Sequence, residues 1–113
     1  MTMFLTRMLA DKRRYRQYRA AVHELPESHR AAVTALERYF HTAGMISDGQ
    51  VVLTMLDDLL DLFRSAAAAG SSVHDVVGDD PIEFAEAFLG NYDEGRWIVK
   101  ERTRLLAAIR AAT

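Results

Sequence analysis

The chain has 113 residues, half of them hydrophobic, and a formal net charge of -2. This composition excludes a disordered or acidic solvating segment, and the length fits one domain with one core. The absence of cysteine excludes thiolate catalysis and cysteine-ligated metal sites, and it favours a reducing cytoplasm. No apolar run reaches the roughly 18 residues of a membrane span. We therefore expect a cytoplasmic protein that has no membrane-spanning segment.

Alanine, leucine and arginine dominate the chain and no stretch is strand-like for long, so we predict helices throughout. The first helix is predicted over 2–24. Pro26 separates it from a second helix over 26–43, which Gly44 ends, and helices joined this tightly form an antiparallel hairpin. One apolar stripe at helical spacing marks the predicted core side of the first helix: Met1, Phe4, Met8, Tyr15, Tyr18 and Val22.

A third helix is predicted from Ser47 or Asp48 to Ala69. Its apolar arc covers more than half of the circumference and consists of Val52, Met55, Leu56, Leu59, Leu60, Leu62, Phe63 and Ala66. An arc this wide is typical of the central helix of a bundle. On the polar side, Asp57 and Asp61 share one face and could act as a carboxylate pair, but a solvated face is the favoured interpretation.

The stretch GSSVHDVVGDDP, at 70–81, places a histidine and three aspartates between two glycines and a proline. Ser72 and Asp75 have the spacing of a capping box, which predicts a short helical turn beginning there. Gly78 allows the positive φ that would close this turn. Asp80 can cap the helix that follows. The aspartates are therefore predicted to form a structural joint between two helices.

A metal site is the alternative interpretation of the joint. Its donors would be His74, Asp75, Asp79 and Asp80, which supply imidazole and hard carboxylate ligands close together. Because the caps already account for the aspartates, we favour the structural role and expect neither a metal nor another cofactor.

The rest of the chain has few recognisable catalytic motifs. There is no glycine-rich phosphate loop and no nucleophile elbow. In HELPESH, His23 and His29 are six residues apart with a proline between them, so the zinc-protease spacing is absent. We place His29 and His41 on the polar surface of the second helix, without partners. We therefore expect no enzymatic activity.

The segment GSSVHDVVGDDPIEFAEAFL resembles the Ser-Val-x-Asp-Val-x-Gly-acid-Asp pattern of a bacterial family, domain of unknown function 1048. The likeness rests on Ser72, Val73, Asp75, Val76, Gly78, Asp79 and Asp80. Pro81 departs from the pattern. The resemblance implies a small all-α bundle in which this segment links helices. It also implies a small cytoplasmic protein, often encoded beside PadR-type transcription regulators and transporter genes, and it implies no chemistry.

Two further helices are predicted, over 81–91 and over 96–111. In the helix over 81–91, the residues predicted to face inward are Ile82, Phe84, Ala85, Phe88 and Leu89. The helix over 96–111 has an apolar face made of Trp97, Ile98, Leu105, Leu106 and Ile109. We interpret Trp97 as a core residue rather than a ligand-stacking one. The predicted fold is all-α, one domain over 1–113, a helical bundle of four long helices plus a short connecting helical turn.

The charge is divided along the chain. Residues 1–24 hold six cations and two anions, residues 25–95 three and thirteen, and residues 96–113 five and one, giving +4, -10 and +4. The simplest account is that basic terminal helices pack beside acidic inner ones. In KRRYRQYR, the tyrosines are predicted to be core, while Lys12, Arg13, Arg16 and Arg19 spread over the flank and outer face and form the alternative basic contact face.

These observations favour a non-enzymatic accessory or regulatory protein-interaction module. Its partner would be a second copy of the chain, as in a homodimer, or a transcription regulator, in line with the PadR neighbourhood that the resemblance implies. A DNA- or anionic-surface-binding protein that uses the basic first helix is the first alternative. A metal-dependent enzyme that uses Asp57, Asp61 or the His74 cluster is the second.

Overall fold

A computed structural model describes the backbone of residues 2–44, 48–92 and 97–113, and the side chains of residues 9–42, 48–92 and 98–113. The helices are α1 (Thr2–His23), α2 (Glu27–Tyr39), α3 (Gly49–Ala68), α4 (Val73–Val77), α5 (Pro81–Gly90) and α6 (Trp97–Ala112). A π-helical turn, Phe40–Gly44, continues α2. No strand occurs in these ranges, so the all-α class is confirmed.

The predicted count of four long helices plus one short turn is one too low. Five of the helices have ten residues or more, and α4 is the short connecting one. Each of the five long helices corresponds to one of the individually predicted ranges, so the ranges are confirmed and only the stated total is wrong. Pro26 lies one position before α2 and acts as its N-cap residue instead of its first helical residue. The single-domain assignment of 1–113 stays a prediction.

The core forms around α3, which contacts α1, α2 and α4. Leu59 and Phe63 are fully buried on this helix. The cluster of buried residues comprises Tyr18, Val22, Leu25, Val33, Leu36, Phe40, Met55, Leu56, Leu59, Leu60, Phe63, Ala85 and Leu89. More of these residues lie on α3 than on any other helix, so its predicted central position is confirmed.

The helix α5 packs against α4 and against the π turn that ends α2. Phe88 stacks on Phe40 of that turn, with ring centroids 5.6 Å apart and planes inclined by 18°. Along α5, Phe84 and Tyr92 lie on either side of Phe88, at 6.1 and 5.5 Å. Offset aromatic contacts of this kind add stabilisation beyond the apolar area that they bury. They hold α5 against the end of the α1–α2 hairpin.

Local hydrogen bonds define the joint between α3 and α5. At the end of α3, the Ser71 amide donates to the Ala66 carbonyl at 2.8 Å and the Gly70 amide to the Ala67 carbonyl at 3.1 Å. With Gly70 at φ 74°, this is a Schellman ending. The turn α4 then begins after Ser72.

The predicted capping box is present at α4. The Ser72 hydroxyl accepts from the Asp75 amide at 3.0 Å, and the Asp75 carboxylate accepts from the Ser72 amide at 2.8 Å. Gly78 follows with φ 75° and ψ -161°. The Asp80 carboxylate accepts from the amides of Ile82 and Glu83 at 3.1 and 3.0 Å, which caps α5 as predicted.

Several predicted core positions are wrong. Tyr15 is 45 % exposed, Leu62 38 % and Ile82 64 %. Tyr15 lies at the edge of the α1–α3 contact, one turn before the buried Tyr18, and Ile82 lies in the first turn of α5, before that helix reaches the core. The arc of α3 is wider than its neighbours cover, which leaves Leu62 outside. The side chains of Met1, Phe4 and Met8 lie outside the described residues.

The predicted packing of the last helix is also wrong. Leu105, Leu106 and Ile109 of α6 are between 58 % and 63 % exposed, and every residue over 101–113 is exposed. Only Ile98 and Val99 are half-buried, and the side chain of Trp97 lies outside the described residues. The reason is that α1, α2, the π turn, α3 and α5 close the core without α6.

The molecule is extended for its size. The radius of gyration is 16.9 Å, whereas a compact domain of this length has a value of about 13 Å. The molecule measures 57 × 43 × 20 Å along its principal axes.

We expect Gly78→Ala to lower the free energy of unfolding by about 1–3 kcal/mol, because φ 75° with ψ -161° is a region that glycine alone occupies readily. A Cβ at Gly78 would meet no atom within 4 Å, so the loss would come from the backbone conformation. Gly49→Ala, at the first position of α3 and equally open, is the control and should be neutral or stabilising by up to about 1 kcal/mol. Urea unfolding of both variants tests this, and equal effects would contradict it.

Candidate interaction surfaces

The joint brings His74 and Asp79 together. Histidine Nε2 lies 2.7 Å from the Asp79 Oδ1 atom, and the two side chains are 70 % and 97 % exposed. The other two predicted donors, Asp75 and Asp80, are occupied as helix caps. Hydrogen bonds from Ser72, chiefly from its backbone amide, hold the pKa of Asp75 below its usual range. Across the described side chains, no three His, Asp or Glu residues converge as metal ligands would.

Of the predicted carboxylate pair, Asp57 is engaged in a structural contact and Asp61 is exposed. Both Nε and Nη2 of Arg14 lie 2.9 Å from one carboxylate oxygen of Asp57. The neighbouring Asp58 accepts from the Tyr92 hydroxyl at 2.5 Å. Burial, followed by this hydrogen bond, raises the pKa of Tyr92. Asp57 thus ties α3 to α1, as expected of a basic terminal helix beside an acidic inner one. The same expectation is wrong for α6, whose residues 101–113 are all exposed.

The prediction for His29 is wrong. This side chain is buried, with Nε2 2.9 Å from the Ser71 carbonyl oxygen and Nδ1 3.1 Å from the Ser28 hydroxyl. Because a carbonyl only accepts, Nε2 donates, and Nδ1 can accept from Ser28. The ring meets Phe63 edge-on. His29 therefore fastens α2 to the joint, while His41 is exposed as predicted.

Spacing could have revealed two of these structural residues. His29 lies four residues after the buried Leu25 and four before the buried Val33, on the apolar stripe of α2. Arg14 lies four residues before the buried Tyr18 on α1, so it faces α3 rather than solvent. A polar residue within a buried stripe needs a partner, and each of these has one.

The basic face of α1 is exposed at all four predicted positions: Lys12, Arg13, Arg16 and Arg19. Arg19 lies 3.8 Å from the Glu37 carboxylate of α2, which also accepts a hydrogen bond from the buried Tyr18 hydroxyl. Burial, then Glu37, raises the pKa of Tyr18 well above its ordinary 10.0.

A shallow groove adjoins this basic face. Its volume is ≈ 490 Å³, and it is lined by Asp11, Lys12, Tyr15, Arg16, Gly49 and Leu53. Gln50 donates to both Asp11 carboxylate oxygens at 2.7 and 2.9 Å. The groove therefore joins α1 to the start of α3 and has charges of both signs along its rim.

The apolar face of α6 is the second candidate surface. It consists of Ile98, Leu105, Leu106 and Ile109, the last three largely exposed. Arg102 lies on the same side of the helix, four residues after Ile98 and four before Leu106. Glu101 pairs with Arg104 at 3.1 Å. We call the set Ile98, Arg102, Leu105, Leu106 and Ile109 the α6 face.

These features define a small helical-bundle protein in which capped turns link the inner helices. The chain belongs to the family described as "Protein of unknown function (DUF1048)", whose model matches residues 6–110. The resemblance found in the joint is thereby confirmed over nearly the whole chain, and α6 falls within the matched range up to residue 110. A search of curated proteins finds no match. None of the described helices is long and apolar enough to cross a membrane.

We expect stability to fall as the pH rises above about 10, because the raised pKa of Tyr18 in the folded state leaves the unfolded chain to ionise first. This contribution is fully present below the unfolded pKa and is lost as pH rises toward the folded one. Tyr18→Phe should decline less steeply than the parent. Tyr15→Phe, which keeps Tyr18, is the control. Urea unfolding between about pH 8 and 11 measures the slopes, and identical slopes in the parent and Tyr18→Phe would contradict the expectation.

Proposed function

We propose that the protein is a non-enzymatic interaction module that binds another protein through the α6 face. The supporting observation is that Leu105, Leu106 and Ile109 are largely exposed although they lie within the range that the family model matches. Large exposed apolar patches on small proteins commonly mark interaction sites.

The free energy that burial of the α6 face would contribute supports a binding role. Full burial of a leucine or isoleucine side chain stabilises by about 1.5–3 kcal/mol. Covering three side chains that are between 58 % and 63 % exposed would then contribute roughly 3–5 kcal/mol. The core is already closed without α6, so this gain is available to a partner.

The lack of enzymatic activity is part of the proposal. Asp57 is held by Arg14, Asp75 and Asp80 cap helices, and His29 is a buried link. Each of these candidate catalytic side chains has a structural partner that explains its presence. The family resemblance supports a regulatory or accessory role with a PadR-type transcription regulator as one candidate partner. A second copy of the chain is the other partner proposed.

Binding of DNA or an anionic surface through α1 is the second candidate function. Lys12, Arg13 and Arg16 are exposed, and none has an ion-pair partner among the described side chains. Against this candidate, Tyr15 and Tyr18 are not arranged as stacking residues for bases. Their ring centroids lie 6.2 Å apart, and Tyr18 is buried. The thirteen anions over 25–95 also oppose phosphates.

Photocrosslinking tests the interaction module. With benzoylphenylalanine in place of Leu106, irradiation of cells that express the protein should give a protein adduct of discrete mass, because this side chain would be buried by the partner. The same group in place of Ala35, which is exposed on α2, should give none. Absence of an adduct at position 106 would contradict the proposal.

Titration with duplex DNA tests the second candidate. At physiological salt we expect binding in the nonspecific range, with a Kd of roughly 10⁻⁴ M or weaker. Arg13→Ala and Arg16→Ala should leave thermal stability almost unchanged, because both side chains are exposed. Nanomolar, sequence-specific binding that both substitutions abolish and that salt weakens steeply would make the protein a DNA-binding regulator instead.

A further inference from the structure

The exposed side of α5 is chemically complementary to the α6 face. It consists of Ile82, Glu83, Glu86, Ala87 and Gly90, all exposed. These residues fall within about 140° of the helix circumference, and Ile82 marks the edge of this arc that adjoins the buried Leu89. We call them the α5 face. It offers one large apolar side chain and two small residues that allow a second helix to approach closely. It also offers two carboxylates, of which Glu86 already accepts a hydrogen bond from the Tyr39 hydroxyl at 2.6 Å.

Arg102 sets a requirement for whatever covers α6. It lies within the apolar stripe, next to Leu105 and Leu106, so a partner that buries the stripe also removes water from the guanidinium. A guanidinium buried in this way needs a carboxylate opposite it. The same solution already exists in the bundle, where Arg14 on the apolar side of α1 meets Asp57 of α3.

The charges of the two faces select the pairing. Over 97–113 the chain has four cations and one anion, and over 81–90 it has two anions and no cation. Pairing α6 with another α6 would bring Arg102 near its own copy, which like-charge repulsion opposes. Pairing α6 with the α5 face places Arg102 among Glu83 and Glu86.

We propose that the partner of α6 is a second copy of this chain, and that two copies exchange α6 helices, each laying its α6 face on the α5 face of the other. This inference rests on the proposed function and names its partner. Within one chain α6 leaves the bundle, as its exposure over 101–113 shows. A two-fold arrangement repeats each contact, so the exchange buries two such seams and leaves neither face uncovered.

Sedimentation equilibrium of the full chain tests the dimer. We expect the parent to shift from monomer to dimer as concentration rises through the micromolar range. Arg102→Glu should weaken dimerisation at least tenfold, because a carboxylate would then face Glu83 and Glu86. Arg13→Glu is the matched control: it makes the same charge change outside both faces and should leave the dimer intact.

A charge-exchange experiment identifies the surfaces. Glu83→Lys/Glu86→Lys should also fail to dimerise alone, because its α5 face would repel Arg102. A mixture of this variant with Arg102→Glu should form a heterodimer, since both seams then regain opposite charges. If the double variant does not fold by circular dichroism, Glu83→Lys alone serves in its place, because Glu86 also binds Tyr39 of α2.

Each result decides the matter. A parent that stays monomeric at all concentrations overturns the dimer, and so does a Glu83→Lys/Glu86→Lys protein that folds and dimerises like the parent, because α6 would then bind elsewhere. A monomeric parent combined with a crosslink from position 106 to a different protein would overturn this inference and leave the proposed function standing. Absence of any crosslink would overturn the proposed function itself.

Discussion

The structure depends on the burial of α3. Its apolar arc exceeds what any one neighbour can cover, and Leu59 and Phe63 reach complete burial only because several elements converge on it. The α1–α2 hairpin covers one side through Tyr18 and Val33, and Leu89 of α5 joins the same cluster. Once these elements are in place, most of the apolar area whose burial drives folding lies inside the bundle. The position of α6 follows from that closure.

The joint makes this closure feasible because it turns the chain from α3 into α5 within the twelve residues over 69–80. Each helix end in it has its backbone groups satisfied locally, by a Schellman ending, a capping box and an aspartate cap. His29 adds a long-range bond, from α2 to the Ser71 carbonyl. Of the polar residues that first suggested a metal site, Asp75 and Asp80 thus begin α4 and α5, and His74 and Asp79 pair with each other.

How much the sequence could predict depended on the range of each interaction. The caps at Ser72, Asp75 and Asp80 involve neighbours within three residues, so residue type and spacing were sufficient. Periodicity also located the apolar faces correctly, but it does not state whether a face is covered by the same chain. This is why Leu105 and Ile82 were expected to be inward. The partners of Arg14 and His29 lie 43 and 42 residues away, beyond the reach of a local pattern, although the position of each residue on a buried stripe was visible.

The exposure of α6 has a consequence for its own stability as a helix. Isolated helices of roughly this length are marginal in water, because nucleation is costly and most helical stability in proteins comes from tertiary packing. Residues 101–113 lack such packing, so their backbone amides should exchange with solvent far faster than those of α3. When a partner covers α6, the loss of conformational entropy on ordering this helix opposes binding. This cost lowers the net affinity and makes the association readily reversible. Assembly would then respond to small changes in cellular concentration.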